Sequence, residues 1–282
     1  MYRVGLSNTM GDSEEIFKEY ANAGVEYMEL SLGKERSDRL DFGKMKEYSL
    51  KYGVKLWSFH LPFYPFSEID ISREDLCDKS VEYLSALIRK GAEIGIDKFI
   101  IHPSGEPIQE SDREARISCA KRSLARLSRV AAENGAVIAV ENLPRTCLGR
   151  DSKDILELLS ADSKLVACFD TNHLLGEDPL EFIKNVGDKI VTLHVSDYDF
   201  KDERHWICGE GLVDWQGIIE ALKKIDYKGV WLYEVDLRCP WTIKRDRDLN
   251  CGDFVNNARE LFSGKTPVAI GTPVDGLKKW NE

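Results

Sequence analysis

A short apolar, β-branched run followed by a stretch with helical spacing recurs along the chain. The runs fall at 2–7 (YRVGLS), 27–32 (YMELSL), 55–61 (KLWSFHL), 98–102 (KFIIH), 137–142 (VIAVEN), 165–170 (LVACFD), 190–195 (IVTLHV) and 229–235 (GVWLYEV). They have the length and the β-branched or aromatic content of strands. Being apolar on both faces, they read as parallel strands covered on both sides. Between them, apolar residues recur three and four apart. SEEIFKEYANA (13–23), DREARISCAKRSLARLSRVAAEN (112–134) and WQGIIEALKKI (215–225) show the helical spacing. Gly24, Gly53, Gly95 and Gly135 stand just before strands, where a helix ends by turning left-handed at a residue without a Cβ.

Eight β–α units in succession predict an α/β fold, a single (β/α)8 barrel over residues 1–264. The rival is an open doubly wound sheet. It would want a glycine-rich phosphate turn after the first strand, and SNTMGDS carries one glycine. Residues 265–282 form a C-terminal tail that either packs through Val268, Ile270 and Trp280 or frays. GKERSDRL (33–40), with Lys34, Arg36 and Arg39, reads as a solvated loop.

Composition fits that picture. The chain has 282 residues, 43% hydrophobic and 31% charged, and such a barrel needs ~250. No apolar run approaches the roughly 18 residues of a membrane span. The N-terminus enters the first strand with neither the basic nor the apolar region of a secretory leader. The seven cysteines (Cys77, Cys119, Cys147, Cys168, Cys208, Cys239, Cys251) form no CxxC pair and read as reduced, partly packing thiols of a cytoplasmic protein. A net charge of −10 weighs against non-specific binding to nucleic acid.

In barrels of this kind chemistry sits where strands end. His60 ends the third run, His102 the fourth, Glu141 the fifth and Asp170 the sixth, with His173 just beyond. His194 ends the seventh, Glu234 the eighth, and His205 lies in the loop after the seventh. All five histidines of the chain are in this set; a structural histidine has no reason to choose strand ends. Three carboxylates at an apolar barrel mouth repel one another unless a positive group compensates them. A divalent cation on Glu141, Asp170, His194 and Glu234 is the simplest solution, and oxygen-rich ligation with one nitrogen suits Mn, Mg or Co. More imidazoles shift the choice to Zn. An ion-pair network with Arg145, Lys98 or Arg238 is the alternative.

The motifs ENLP (141–144), DTNH (170–173), HVSD (194–197), GEGLVDW (209–215) and Glu234 resemble the xylose isomerase-like barrel superfamily. It includes sugar isomerases, ketose 3-epimerases, inosose dehydratases and, more distantly, endonuclease IV. The resemblance implies that Glu141, Asp170, His194 and Glu234 bind one divalent metal. It implies that Glu141 and Glu234 move protons and that His173 and Arg204 hold substrate oxygens. Similarity to endonuclease IV extends to His60, His102, His173 and His205, and implies up to three zinc ions. That family has Asp-Arg-His where this chain has Glu203-Arg204-His205. Otherwise His60, His102 and His205 serve substrate binding.

The expected function is therefore a metal-dependent isomerase or epimerase of a small sugar, sugar phosphate or polyol, moving protons through an ene-diolate. An endonuclease IV-like zinc phosphodiesterase on abasic DNA and a keto-sugar or inosose dehydratase are the alternatives. A non-enzymatic sugar-binding barrel would not need two basic carboxylates. The partner is a small-molecule sugar, not nucleic acid or a membrane; the homo-oligomeric state is open. HLPFYPF (60–66), Trp206 and Trp241 could stack on a sugar or pack. Gly209-Glu210-Gly211 reads as a tight turn, and Asp214-Trp215 as an N-cap followed by a packed indole.

Overall fold

A computed structural model describes residues 2–8, 11–63 and 68–282. Eight strands form the barrel: β1 (Val4–Asn8), β2 (Tyr27–Ser31), β3 (Lys55–His60), β4 (Lys98–Ile101), β5 (Val137–Glu141), β6 (Val166–Asp170), β7 (Ile190–His194) and β8 (Trp231–Tyr233). The helices are α1 (Glu14–Ala23), α2 (Lys34–Arg39), α3 (Phe42–Tyr52), α4 (Cys77–Glu93), α5 (Arg113–Glu133), α6 (Ser152–Leu159), α7 (Pro179–Val186), α8 (Trp215–Lys224) and α9 (Cys251–Phe262). Two short strands, β9 (Ile243–Lys244) and β10 (Thr272–Pro273), pair antiparallel outside the barrel.

All pairings within the barrel are parallel, each strand beside the next in sequence, and β8 returns to β1. Between β7 and β8, Val195 N–H donates to Leu232 O (2.8 Å) and Glu234 N–H to Val195 O (3.1 Å). The chain is a (β/α)8 barrel. Alternation along each strand separates two cores. Outward residues such as Met28, Leu30, Phe59, Phe99 and Phe169 are buried under the helices. Ile100, Ala139 and Cys168 form a smaller cluster of their own. Trp57 Nε1 donates to Thr192 Oγ1 (3.0 Å), linking β3 to β7. At Gly91 a Cβ would stand 2.7 Å from the Phe99 ring, so glycine permits α4 to lie close on the sheet.

The helix ends behave as their residues dictate. Gly24 and Gly53 close α1 and α3 at φ 85° and 71°. Asp214 accepts from Gly217 N (2.9 Å), and the Trp215 indole is buried, donating to Asp197 Oδ2 (2.9 Å). Gly209-Glu210-Gly211 wraps Asp197, where a Cβ on Gly211 would meet Asp197 Oδ1 at 2.2 Å. The segment 33–40 is not a loop. Residues 34–39 are α2, bearing the i,i+4 pairs Lys34–Asp38 (2.7 Å) and Arg39–Glu35 (2.8 Å). The tail holds β10. Its Ile270 packs on the core while Val268 is exposed. All seven cysteines are free thiols, six of them buried. Among the described residues no helix is long and apolar enough to cross a membrane.

Candidate active site

The strands deliver their terminal side chains to one rim. His60, Glu141, Asp170 and His194 are the last residues of β3, β5, β6 and β7; His102 and Glu234 follow β4 and β8 directly. Glu141, Asp170, His194 and Glu234 bring one ligand atom each within 4.8 Å of one another. Glu141, Asp170 and His194 are fully buried. His194 Nδ1 lies 2.8 Å from Glu141 Oε1 and 3.3 Å from Glu234 Oε2. Among the described residues no lysine or arginine pairs with these carboxylates: Arg145 engages Glu106, Asp202 and Glu203, and Lys98 engages Asp97.

The backbone around Asp170 is fixed by two asparagines. Asn142 Nδ2 donates to Asp170 O (2.8 Å) and Asn142 Oδ1 accepts from Asp170 N (2.8 Å). Asn172 N donates to Asp170 Oδ1 (2.6 Å), while Asn172 Oδ1 accepts from Arg204 N (2.9 Å). Asp170 Oδ2, by contrast, is buried without a hydrogen-bond partner. A carboxylate oxygen in that state is costly, and a cation at the point where four ligand atoms converge removes the cost. The donor set therefore fits a divalent metal.

Burial and mutual repulsion set the proton affinities. Burial first, then Glu141 and Asp170, push the Glu234 carboxyl up to about 7. Burial and Glu141 also raise Asp170. Glu141 is held well below its ordinary range: burial opposes its charge, but His194 and His102 outweigh that. Metal ligation requires deprotonated groups. Below pH 7 a cation must displace a proton from Glu234 that it need not displace above it. We expect log affinity for Mn²⁺, titrated between pH 5.5 and 8.5, to steepen by about one decade per pH unit below the break near 7. A slope constant through that range would remove Glu234 from the ligand set.

A carboxylate absent from the sequence-based set stands behind the cluster. Glu29, the middle residue of β2, is fully buried. It accepts from Ser58 Oγ (2.6 Å) and Ser7 Oγ (2.9 Å), and lies 3.0 Å from His194 Nε2. Glu29 thus holds the Nε2 proton of a ring whose charge the surrounding carboxylates favour against burial, so that Nδ1, 2.8 Å from Glu141 Oε1, is the nitrogen a cation would take, the arrangement that orients metal-binding histidines.

The remaining histidines surround a cavity of about 570 Å3 that Glu141 and Glu234 also line. His60 donates through Nδ1 to Leu61 O (3.1 Å), His173 to Asn142 O (2.8 Å) and His205 to Glu234 O (3.1 Å). A carbonyl can only accept, so each bond fixes the proton on Nδ1 and leaves Nε2 for other partners. His60 Nε2 and His102 Nε2 reach Glu141 Oε2 at 3.1 and 3.2 Å. His173 Nε2 reaches Glu203 Oε1 at 2.9 Å, and with His205 these make a second convergent group. Burial lowers His102 to about 4, so it is a neutral imidazole. Burial also opposes charge on His173, but Asp170 and Glu203 raise it to about 10.

Arg204 is not brought to the cavity. Its buried guanidinium donates to Asp199 Oδ2 (3.1 Å) and Lys278 O (3.0 Å). The arginine that lines the cavity is Arg145. Trp206 is fully buried and packs, donating to Thr242 Oγ1 (2.9 Å), whereas Trp241 is exposed. Phe63 stacks on His102 at 3.7 Å between ring centroids; Tyr64, Pro65 and Phe66 of the aromatic segment lie outside the described residues.

Fold and site together define a (β/α)8 barrel with a carboxylate–imidazole cluster at the C-terminal ends of its strands. The chain belongs to the xylose isomerase-like TIM barrel family, whose sequence model matches residues 17–250. It is 30% identical over 177 residues to an uncharacterised protein of Methanocaldococcus jannaschii, covering 59% of this chain and 60% of that one. It is 26% identical over 167 residues to a probable endonuclease 4 of Finegoldia magna, covering 53% and 58%. The chain thus spans about 60% of the length of these curated relatives. A solved D-tagatose 3-epimerase-like protein superposes with a TM-score of 0.75 at 22% identity, covering 83% of this chain and 90% of that one.

Proposed function

We propose that this chain is a metal-dependent isomerase or epimerase of a small sugar or polyol. The observation that carries the reading is the convergence of Glu141, Asp170, His194 and Glu234, with Asp170 Oδ2 buried and without a hydrogen-bond partner, beside a cavity of about 570 Å3. The likeness to a D-tagatose 3-epimerase-like barrel supports it. A divalent cation held there supplies Lewis-acid polarisation of a carbonyl and a template for two adjacent oxygens. The proton chemistry falls to the two carboxylates that face the cavity. One takes the proton from the carbon beside the carbonyl, and the same or the other returns it. The His173 imidazolium, bonded through Nε2 to Glu203 Oε1 and through Nδ1 to Asn142 O, sets positive charge at the cavity wall beside the substrate oxygens, and His60, His102 and His205 hold hydroxyls.

Enzyme loaded with Mn²⁺ or Co²⁺ is expected to wash solvent deuterium into that carbon for a ketose it interconverts. Interconversion without any deuterium would replace proton transfer by a hydride shift. Stripping the metal with a chelator should lower the melting temperature by several degrees, since a native-state ligand at 100 times its Kd contributes about 2.7 kcal/mol. An unchanged melting temperature would deny the cluster a resident cation.

The His173–Glu203–His205 group and the approach of His60 and His102 to Glu141 favour a second reading, a zinc phosphodiesterase acting on abasic DNA. Charge argues against it. Among the described residues that line the cavity, Arg145 is the one cation besides the histidines, and Glu106, Asp202 and Glu203 surround it. Duplex binding draws on uncompensated lysines and arginines at phosphates. We expect no incision of an abasic duplex by zinc-loaded enzyme; efficient metal-dependent incision at low enzyme concentration would establish the second reading.

A further inference from the structure

Beside the cavity that Glu141 and Glu234 face lies a second one of about 250 Å3. Arg145 and His173 line both, so the two adjoin. The outer walls of the second are Arg150, Asp151, Leu175 and, from the C-terminal tail, Trp280. The tail is fastened to the loop after β7. Lys201 O accepts from Trp280 N (3.1 Å), Lys201 Nζ donates to Leu277 O (3.1 Å), and Arg204 Nη2 donates to Lys278 O. This fastening holds the Trp280 indole at the second cavity while leaving the residue 42% exposed.

Resting on the isomerase reading above, we propose that the second cavity is a subsite for an uncharged sugar ring. The substrate is then a ketose carrying a second ring in glycosidic linkage. Size, surface and charge agree on this. Ligand sites typically enclose ~300–1,000 Å3, so the second cavity is small for an independent site but suits an extension of the first. An indole covers the apolar face of a sugar ring, and Arg150 and Asp151 offer a donor and an acceptor to its hydroxyls. A phosphate is not suited. Arg145 is matched by three carboxylates, and Arg150 faces Glu110 at 3.6 Å. The nearby N-terminus of α6 is already capped, Asp151 Oδ1 accepting from Asp154 N at 2.8 Å.

The test uses the full-length, metal-loaded protein with D-fructose, lactulose, isomaltulose and methyl α-D-glucopyranoside, measuring binding by calorimetry and ligand-observed NMR. At least one of the two disaccharides should bind about tenfold tighter than D-fructose. Trp280→Ala should shrink that advantage to within about twofold, and Trp280→Phe, which keeps an aromatic face, should retain it. A disaccharide that binds no tighter than D-fructose, or an advantage that survives Trp280→Ala, overturns the subsite. The two readings fail separately. If methyl α-D-glucopyranoside binds in a Trp280-dependent way while no ketose exchanges deuterium, the subsite stands and the proton chemistry falls. If exchange proceeds and binding ignores Trp280, the subsite alone falls.

Discussion

Glu234→Gln is expected to lower turnover of a confirmed substrate by about 10²–10⁴-fold, the usual worth of a positioned acid–base group. Glu234 follows β8 directly and its carboxylate meets His194 Nδ1 at 3.3 Å. In the metal-free site it titrates at about 7, because burial and the neighbouring Glu141 and Asp170 oppose its charge. A bound cation favours its ionised form, so the carboxylate begins as the base that takes the substrate proton and then returns it. Glutamine keeps the shape and an oxygen toward the cluster but removes the base. It also removes one of three mutually repelling carboxylates, so the metal-free variant should melt no lower than the parent. This separates a chemical loss from a folding loss. Solvent-deuterium exchange should fall in parallel with turnover. Full activity of Glu234→Gln would reduce Glu234 to a ligand.

Glu29→Gln is expected to weaken metal affinity by about 10–100-fold, the effect typical of losing the carboxylate behind a ligating histidine. Glu29 is ionised, since His194 outweighs the burial that would raise it. Its contacts are with Ser7, Ser58 and His194, and Glu29, Ser58 and His194 are themselves fully buried. The amide keeps the two serine contacts but cannot support positive charge on the ring. Competition with a chromogenic chelator gives the affinity, and turnover at saturating metal should largely recover. A loss of turnover at saturating metal with unchanged affinity would place Glu29 in the chemistry rather than behind the ligand.

The barrel was legible because the strands are short, mainly apolar runs and glycine punctuates the turns at Gly24, Gly53, Gly95 and Gly135, both local signals. The rim was legible because strand ends in such a barrel point one way, so His60, Glu141, Asp170 and His194 declared themselves by position. Glu29 was not. Within YMELSL a single carboxylate between apolar neighbours reads as one solvent-facing position, and only closure brings β2 and β7 together across the lumen. Arg204 was misplaced for a related reason. It precedes His205, but His205 takes φ 50°, and the two side chains part: the imidazole toward the cavity, the guanidinium toward Asp199 and the tail. Arg145 is the reverse case. It also has positive φ (53°), and that turn aims it at Glu106 and Glu203, far away in sequence. The helix α2 is short and solvated, so it carries no apolar stripe to reveal it.

Metal analysis of protein purified without chelator tests the central claim most directly, if made on the parent chain beside Asp170→Asn and His194→Ala. The account predicts close to one tightly held divalent ion per chain, lost in both variants. Protein that carries no ion and gains none on titration would contradict the cluster's role. Three ions per chain, with zinc retained at His173, Glu203 and His205 in both variants, would contradict the sugar-enzyme reading in favour of the phosphodiesterase.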